Sequence, residues 1–327
     1  MNIAARQSKL TEILEYPETV TVTENYLQLG MHAQSSAQAQ TNEAFSEKWT
    51  GYSKAESENQ EKLFANGRAW YLQLYGFKTE ATLAEFLKDK HTIYDAGCGI
   101  GYKAAWLATL APHALVVGVD FSEAAEVAAN TYQHIPNLTF IRGDIGKPIF
   151  KADSIDYVSC DQVIMHTTNP EETFAELCRA TKVGGEFSCY FYAKKALVRE
   201  LVDDYFRTQC NNMSMEELQA MSAQLTELGK RLSELNAEID VPAIPALGIK
   251  AGKMDVQRFI YWNFLKCYWN AELGRENSDL INFDWYSPSN ATRYHKHELE
   301  TLIAKNHMHT VHFHAEEACY TMRIRKP

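Results

Sequence analysis

A chain of 327 residues can hold one large α/β domain with a sizeable insertion, or two domains. Its hydrophobic fraction of 46% is ordinary for a globular protein, so apolar burial is not limiting. The formal net charge of -10, from 42 acidic against 32 basic residues, repels phosphate backbones and anionic lipid, which disfavours nucleic-acid and membrane-surface roles.

Met1 to Gly30 contains no apolar core of signal-peptide length, and nothing later runs 18 apolar residues, so a cytoplasmic chain without a membrane partner is expected. Cys98, Cys160, Cys178, Cys189, Cys210, Cys267 and Cys319 are scattered and form no Cys-x-x-Cys pair, which suits reduced thiols rather than a disulfide framework or structural zinc.

Residues 1 to about 45 read as a helical or loose arm, with the small polar stretch 34–40 as a linker. From Phe45 to Lys90, Trp49, Tyr52, Trp70, Tyr71 and Tyr75 suggest helices capping the next domain, so 1–90 is taken as an N-terminal arm and cap. Residues 91–192 then alternate as a parallel sheet with crossover helices should. The expected strands are 91–96, 115–120, 138–142, 155–160 and 186–192, each short and apolar. The expected helices are 102–110, 123–133 and 170–181, the last opened by Asn169, Pro170, Glu171 and Glu172 and closed by Gly184-Gly185.

Residues 193–290 break the alternation and read as a helical insertion or lid. A capping box at Ser214-Met215-Glu216-Glu217 precedes a stripe of Leu218, Met221, Leu225, Leu228, Leu232 and Leu235, ended by Pro242 and Pro245. That stripe is read as packing on the domain in preference to a dimeric coiled coil, which leaves a homodimer as a candidate assembly. A second helix is expected over 255–271. The final segment, 291–327, reads as a helix at 297–306 and strands at 308–315 and 319–325 that complete the core sheet.

The chemistry concentrates at Asp95-Ala96-Gly97-Cys98-Gly99-Ile100-Gly101, a strand-to-helix turn where glycine lets backbone approach a ligand. The helix after it offers unpaired N–H groups to an anionic group. Asp120 ends the next strand, placed for both hydroxyls of a ribose, and Asp144 follows the third, placed for an adenine amino group with Ile145 over the ring. Asp161 and Gln162, at the end of the fourth strand, join the candidate cofactor set. A dinucleotide such as NAD is disfavoured, because Tyr102 stands where G-x-G-x-x-G has its third glycine.

These residues resemble the class I S-adenosylmethionine-dependent methyltransferases, in their broad methyltransferase-domain branch. The resemblance covers about 91–192 and extends to the C-terminus if 193–290 is an insertion. It rests on the glycine loop, on Asp120 with Phe121 beside the adenine, on Asp144 with Ile145, and on Val163-Ile164-Met165-His166-Thr167. It implies an α/β, Rossmann-like, seven-stranded, mostly parallel sheet in the order 3-2-1-4-5-7-6. It also implies S-adenosyl-L-methionine as cofactor and methyl transfer by in-line displacement, aided by alignment and exclusion of water. No Asn-Pro-Pro-aromatic segment follows the fourth strand, and no catechol-type metal pattern is recognisable.

The expected acceptor is a small molecule, aromatic or anionic, methylated at oxygen, nitrogen or carbon and bound by the insertion and the N-terminal cap. Arg258, Trp262, Leu265 and Trp269 share one face of the expected 255–271 helix, beside Tyr261 and Lys266, although large aromatics more often pack a core. The segment 282–288 resembles a loop before the last helix of small-molecule methyltransferases. Tyr286, His295 and His166 are the candidate general bases, with His166 first because it abuts the expected methyl donor. Along an extended strand, His307 and His309 would face one way and His312 and His314 the other, so no metal site is expected. Other readings are a different group transfer in the same pocket, or a non-catalytic cofactor-binding scaffold.

Overall fold

Runs of five or six apolar residues can be buried on both faces only inside a layered sheet, and the strands here follow that rule. The computed structural model describes residues 3–16, 22–23, 25–29, 35–53 and 57–327. The chain divides into two compact units, Met1–Tyr192 with Thr292–Pro327, and Ala193–Ala291.

In chain order the strands are β1 (Val22–Thr23), β2 (Tyr26–Gln28), β3 (Thr92–Ala96), β4 (Leu115–Asp120), β5 (Leu138–Arg142), β6 (Ile155–Cys160), β7 (Thr181–Ala193), β8 (Glu238–Val241), β9 (Gly252–Asp255), β10 (Arg293–Tyr294), β11 (His309–Ala315) and β12 (Cys319–Arg325). All but β8 and β9 form one sheet, ordered β1-β2-β5-β4-β3-β6-β7-β12-β11, with β10 pairing β7. Within it, β5-β4-β3-β6-β7-β12-β11 carries the expected order 3-2-1-4-5-7-6. β12 is antiparallel to both neighbours, while β3 to β7 run parallel. The expected seven strands thus become ten among the described residues, because the N-terminal β1–β2 pair extends the sheet beyond β5 and β10 adds to β7.

The helices are α1 (Ile3–Ile13), α2 (Ser36–Ser53), α3 (Ser57–Leu74), α4 (Glu80–Leu87), α5 (Tyr102–Leu110), α6 (Ala124–Thr131), α7 (Pro170–Ala180), α8 (Leu197–Cys210), α9 (Met215–Glu234), α10 (Val256–Asn263), α11 (Gly274–Tyr286) and α12 (Lys296–Lys305). α1 is no loose arm. Leu10 and Ile13, with Leu14 just beyond the helix, join the core against β4 and β5, and buried Arg6 donates to the Leu138 carbonyl at 3.1 Å. The expected linker is also corrected: 36–40 opens α2, since alanine and glutamine favour helix where nothing breaks it. Gln34 and the side chains of Trp49 and Tyr52 lie outside the described residues. None of the described helices is long and apolar enough to cross a membrane.

In the second unit, α9 buries Leu218, Ser222, Thr226 and Gly229, whereas Leu228 and Leu235 are exposed. The buried line is therefore displaced from the leucine stripe toward small residues. Close approach explains it: a Cβ on Gly229 would lie 2.3 Å from the Cys267 carbonyl oxygen. Asn282 of α11 locks the arrangement, accepting from the Tyr268 amide at 2.8 Å and donating to the Tyr268 carbonyl and the Thr226 hydroxyl. Two expectations fail here. The 255–271 helix stops at Asn263, where the chain turns back and Gln257 donates to the Cys267 carbonyl, so Leu265, Lys266 and Trp269 share no helix face with Arg258 and Trp262. The expected loop at 282–288 is instead helical to Tyr286. In β11 the register shifts between Thr310 and His312, and His312 meets the Leu74 carbonyl while His314 meets Glu316.

One side chain ties the α5–β4 turn to β5. Asn137 is 2% exposed, and its amide nitrogen lies 3.1, 3.1 and 3.0 Å from the carbonyls of Ala108, Ala111 and Ala114. Asn137→Ala would leave those buried acceptors short of donors and is expected to cost about 2 kcal/mol, read from urea unfolding midpoints.

Candidate functional site

β3 ends in Asp95 and the chain turns at once into the glycine loop. Gly97, Gly99 and Gly101 all adopt positive φ, at 79°, 52° and 80°. At Gly101 the constraint is double, because a Cβ there would also strike the Phe140 ring at 2.7 Å and Ala128 at 2.8 Å. A Cβ on Gly97 would meet Val163 at 2.3 Å, so the segment after β6 lies directly against the loop. The Gly97 and Cys98 amides donate to the Val119 carbonyl, and the Gly99 amide donates to Asp120 Oδ2 at 2.8 Å. α5 then starts from Gly101 with no capping side chain.

Asp95 is 2% exposed, and its Oδ2 is buried without a hydrogen-bond partner. Burial pushes its carboxyl up to about 7; Lys103 opposes that shift, while Asp161 and Asp120 reinforce it. Asp120, at the end of β4, accepts three protein hydrogen bonds: one from Gly99, and two from the Ser122 amide and hydroxyl at 2.9 and 2.6 Å. A carboxylate has about four accepting sites, so one remains on Oδ2. Asp144, after β5, accepts from the Gly146 amide at 2.9 Å and keeps Oδ2 for another donor, while Ile145 is buried beside it. Phe121 is half-buried and its carbonyl accepts from Arg142; Cys98 is buried, and burial pushes its thiol up.

Asp161 follows β6 at 6% exposure and is bonded as heavily as Asp120. It pairs with Lys103 Nζ, accepts from the Tyr75 hydroxyl at 2.8 Å and meets the neighbouring Gln162 amide at 3.3 Å. Burial works against the charge on Lys103, but Asp161 with Tyr102 and Asp95 more than offsets it and holds the ammonium above its ordinary range. Gln162 is exposed at a φ of 65°, an uncommon conformation for a residue with a side chain. Behind Asp161, the Tyr71 and Tyr157 hydroxyls touch, and Tyr157 donates to Ser188 at 2.8 Å.

Sequence reasoning missed Lys103 and Tyr75. Lys103 carried a signal, being a lone cation at the start of a helix whose next five residues are all buried. Tyr75 lies 86 residues from Asp161 and carried none. Tyr102, read as a missing glycine, stacks on Phe64 of α3 with ring centroids 4.4 Å apart, and Gly67 leaves room for its hydroxyl. A glycine at position 102 would surrender that contact between α3 and the start of α5.

The three candidate bases have different surroundings. His166 is buried after β6, edge-on to Phe45 at 4.8 Å and 3.4 Å from the Tyr192 hydroxyl. His295 caps α12 with an exposed ring stacked on His297. Tyr286 belongs to the second unit, where its hydroxyl donates to Asp203 at 3.1 Å; burial raises it above the ordinary phenol range, which suits a donor rather than a base. Among the described residues no group of three or more His, Cys, Asp or Glu is arranged to hold a metal.

Residues 87–238 match the profile of a family described as the methyltransferase domain. An uncharacterized methyltransferase of Schizosaccharomyces pombe is 30% identical over 140 residues, which is 38% of this chain and 50% of that protein. A malonyl-[acyl-carrier protein] O-methyltransferase of Bacillus cereus is 26% identical over 114 residues, 33% of this chain and 42% of that one. The chain thus spans half or less of the length of these relatives. Among solved structures, a magnesium protoporphyrin IX methyltransferase of Synechocystis with bound S-adenosylhomocysteine aligns with a TM-score of 0.47 at 13% identity, over 89% of this chain and 100% of that one. Residues 87–238 thus carry a methyltransferase domain of the S-adenosylmethionine-dependent kind.

The cofactor of that family suits the residues in place. An orphaned buried carboxylate oxygen on Asp95 can take an ammonium, and the carboxylates of Asp120 and Asp144 can take ribose hydroxyls and an adenine amino group. An ammonium needs Asp95 ionised, and in the free chain most of it is protonated below its value of about 7. Affinity for S-adenosylmethionine is therefore expected to fall by up to about tenfold per pH unit as pH drops below 7. In calorimetric titrations across that range, Asp95→Asn should bind weakly and lose the slope.

Proposed function

We propose that this chain transfers a methyl group from S-adenosylmethionine to a small-molecule acceptor. The observation that carries the reading is the meeting of a buried, partly unsatisfied Asp95 with Asp120 and Asp161 around a positive-φ glycine loop at the carboxyl ends of parallel strands. Ligands of open α/β sheets bind at those ends. The cofactor, when bound, supplies an electrophilic methyl on a sulfonium. The chain's own part is to bind the amino-acid end at Asp95 and the loop, orient the adenosine with Asp120 and Asp144, and exclude water.

His166 is the residue assigned to take a proton from a hydroxyl acceptor, since it is buried and sits on the segment that packs against Gly97 through Val163. The net charge of -10 supports a small molecule over a nucleic acid. The malonyl-[acyl-carrier protein] O-methyltransferase relative matches over only 33% of this chain, so its acceptor is not carried over.

Two measurements test this. Asp120→Ala removes a charged hydrogen-bond acceptor and should weaken cofactor binding by about 2 kcal/mol, roughly thirtyfold. Failure of the wild-type chain to bind either S-adenosylmethionine or its demethylated product would end the reading. With a hydroxyl acceptor in hand, His166→Ala should cut kcat while leaving cofactor affinity within about twofold.

A further inference from the structure

The strand ends around the glycine loop hold three carboxylates, and only one of them keeps a buried oxygen unpaired. Asp161 is held at both oxygens. Oδ1 accepts from the Tyr75 hydroxyl at 2.8 Å, while Oδ2 takes Lys103 Nζ and lies 3.3 Å from the Gln162 amide nitrogen. Asp120 is held by Gly99 and Ser122. Asp95 is more buried than Asp161, at 2% exposure against 6%, yet its Oδ2 has no hydrogen-bond partner.

An unpaired buried oxygen is costly, and a lysine within reach would ordinarily satisfy it. Lys103 stands in the first turn of α5, just past the glycine loop that Asp95 opens, on a flexible four-carbon stem. The register of β3 on β6 sets Asp95 beside Ser159, two residues before Asp161, so both carboxylates lie near the same ammonium. Lys103 nonetheless pairs with Asp161, and among the described residues Asp95 forms no ion pair. The reason lies on the other side of Asp161, where Tyr75 holds Oδ1 and leaves Oδ2 to the lysine.

The outcome is a cation that acts on Asp95 through space without filling its open oxygen. Burial pushes the Asp95 carboxyl up, Lys103 draws it back, and Asp161 and Asp120 push it up further. The buried thiols of Cys98 and Cys160 are held protonated beside it, and Ser159 hydrogen-bonds the carboxyl. A lysine that swung onto Asp95 would support its charge more strongly, but it would occupy the place of a ligand.

We propose that Lys103 is a positioning residue for the ammonium end of the cofactor: clamped by Asp161 and Tyr75, it supports the charge on Asp95 and leaves Oδ2 open to a ligand's ammonium. Naming that ligand rests on the methyltransferase reading; the state of Asp95 in the free chain does not.

Two readouts test this. In the free chain, the Asp95 carboxyl is followed against pH by carbon-13 NMR. Its midpoint near 7 should move up by about one pH unit or more in Lys103→Met and stay near 7 in Lys103→Arg, which keeps the charge. At pH 7 that shift takes the ionised fraction from about one half to about one tenth, so S-adenosylmethionine should bind Lys103→Met about fivefold more weakly in calorimetry. 5′-Methylthioadenosine keeps the adenosine and lacks the amino-acid end. It should bind Lys103→Met within about twofold of wild type, which also shows that the variant is folded. If the loss of its cation leaves Asp161 too costly for Lys103→Met to fold, Lys103→Met combined with Asp161→Asn removes both charges. Its Asp95 midpoint should still lie above wild type, because Lys103 acts on Asp95 more strongly than Asp161 does. An unchanged Asp95 midpoint in Lys103→Met, or equal losses for the two ligands, overturns the inference. If neither ligand binds the wild type, the methyltransferase reading fails and takes the ligand with it, while the NMR midpoint still decides whether Lys103 supports Asp95.

Discussion

The first unit depends on how a carboxylate survives at the end of its central strand. Asp95 is buried among apolar strands, and its own solvation favours the neutral form. Among the described residues Lys103 is the cation that acts on it most, and Lys103 is itself held by Asp161. Asp161 in turn leans on Tyr75. The loop is fixed from the other side, where Asp120 accepts the Gly99 amide and the Val119 carbonyl takes those of Gly97 and Cys98. Three strand ends and one helix start are therefore joined by hydrogen bonds and charge rather than by packing alone. A site of this kind resists rearrangement, because moving any one member exposes the others to an uncompensated charge.

Much of this unit was legible from local sequence. β4, β5 and β6 and the helix after the glycine loop fall where the alternation of short apolar runs and helical stretches places them, since both-face burial writes itself into composition. The glycine loop and the strand-end acids were equally legible, because each is a residue type at a position fixed by one strand. The strand order followed from the family resemblance, not from any pattern in the chain. What the local view omitted is pairing at long range. The β1–β2 extension rests on β2 finding β5 more than a hundred residues away, and two- and three-residue strands have no periodicity to read.

The helical unit was less legible for a different reason. Its helices approach closely, and close approach selects small residues where a stripe argument looks for leucines. Ser222, Thr226 and Gly229 line the contact, and Asn282 does by hydrogen bonding what an apolar residue would do by volume. The same preference for polar locks ends α10 early, with Gln257 reaching across to Cys267. Hydrophobic periodicity describes helices that meet through bulky side chains and misplaces those that do not.

Lys103 and Lys266 show two treatments of one problem. Lys103 is half-buried beside a dedicated partner, and the charges around it more than offset desolvation, so it stays an ammonium. Lys266 is buried beside further cations, and the balance runs the other way. The first arrangement needs no ligand to be complete. The second leaves the desolvation of its ammonium only partly offset by Asp203 and Asp284.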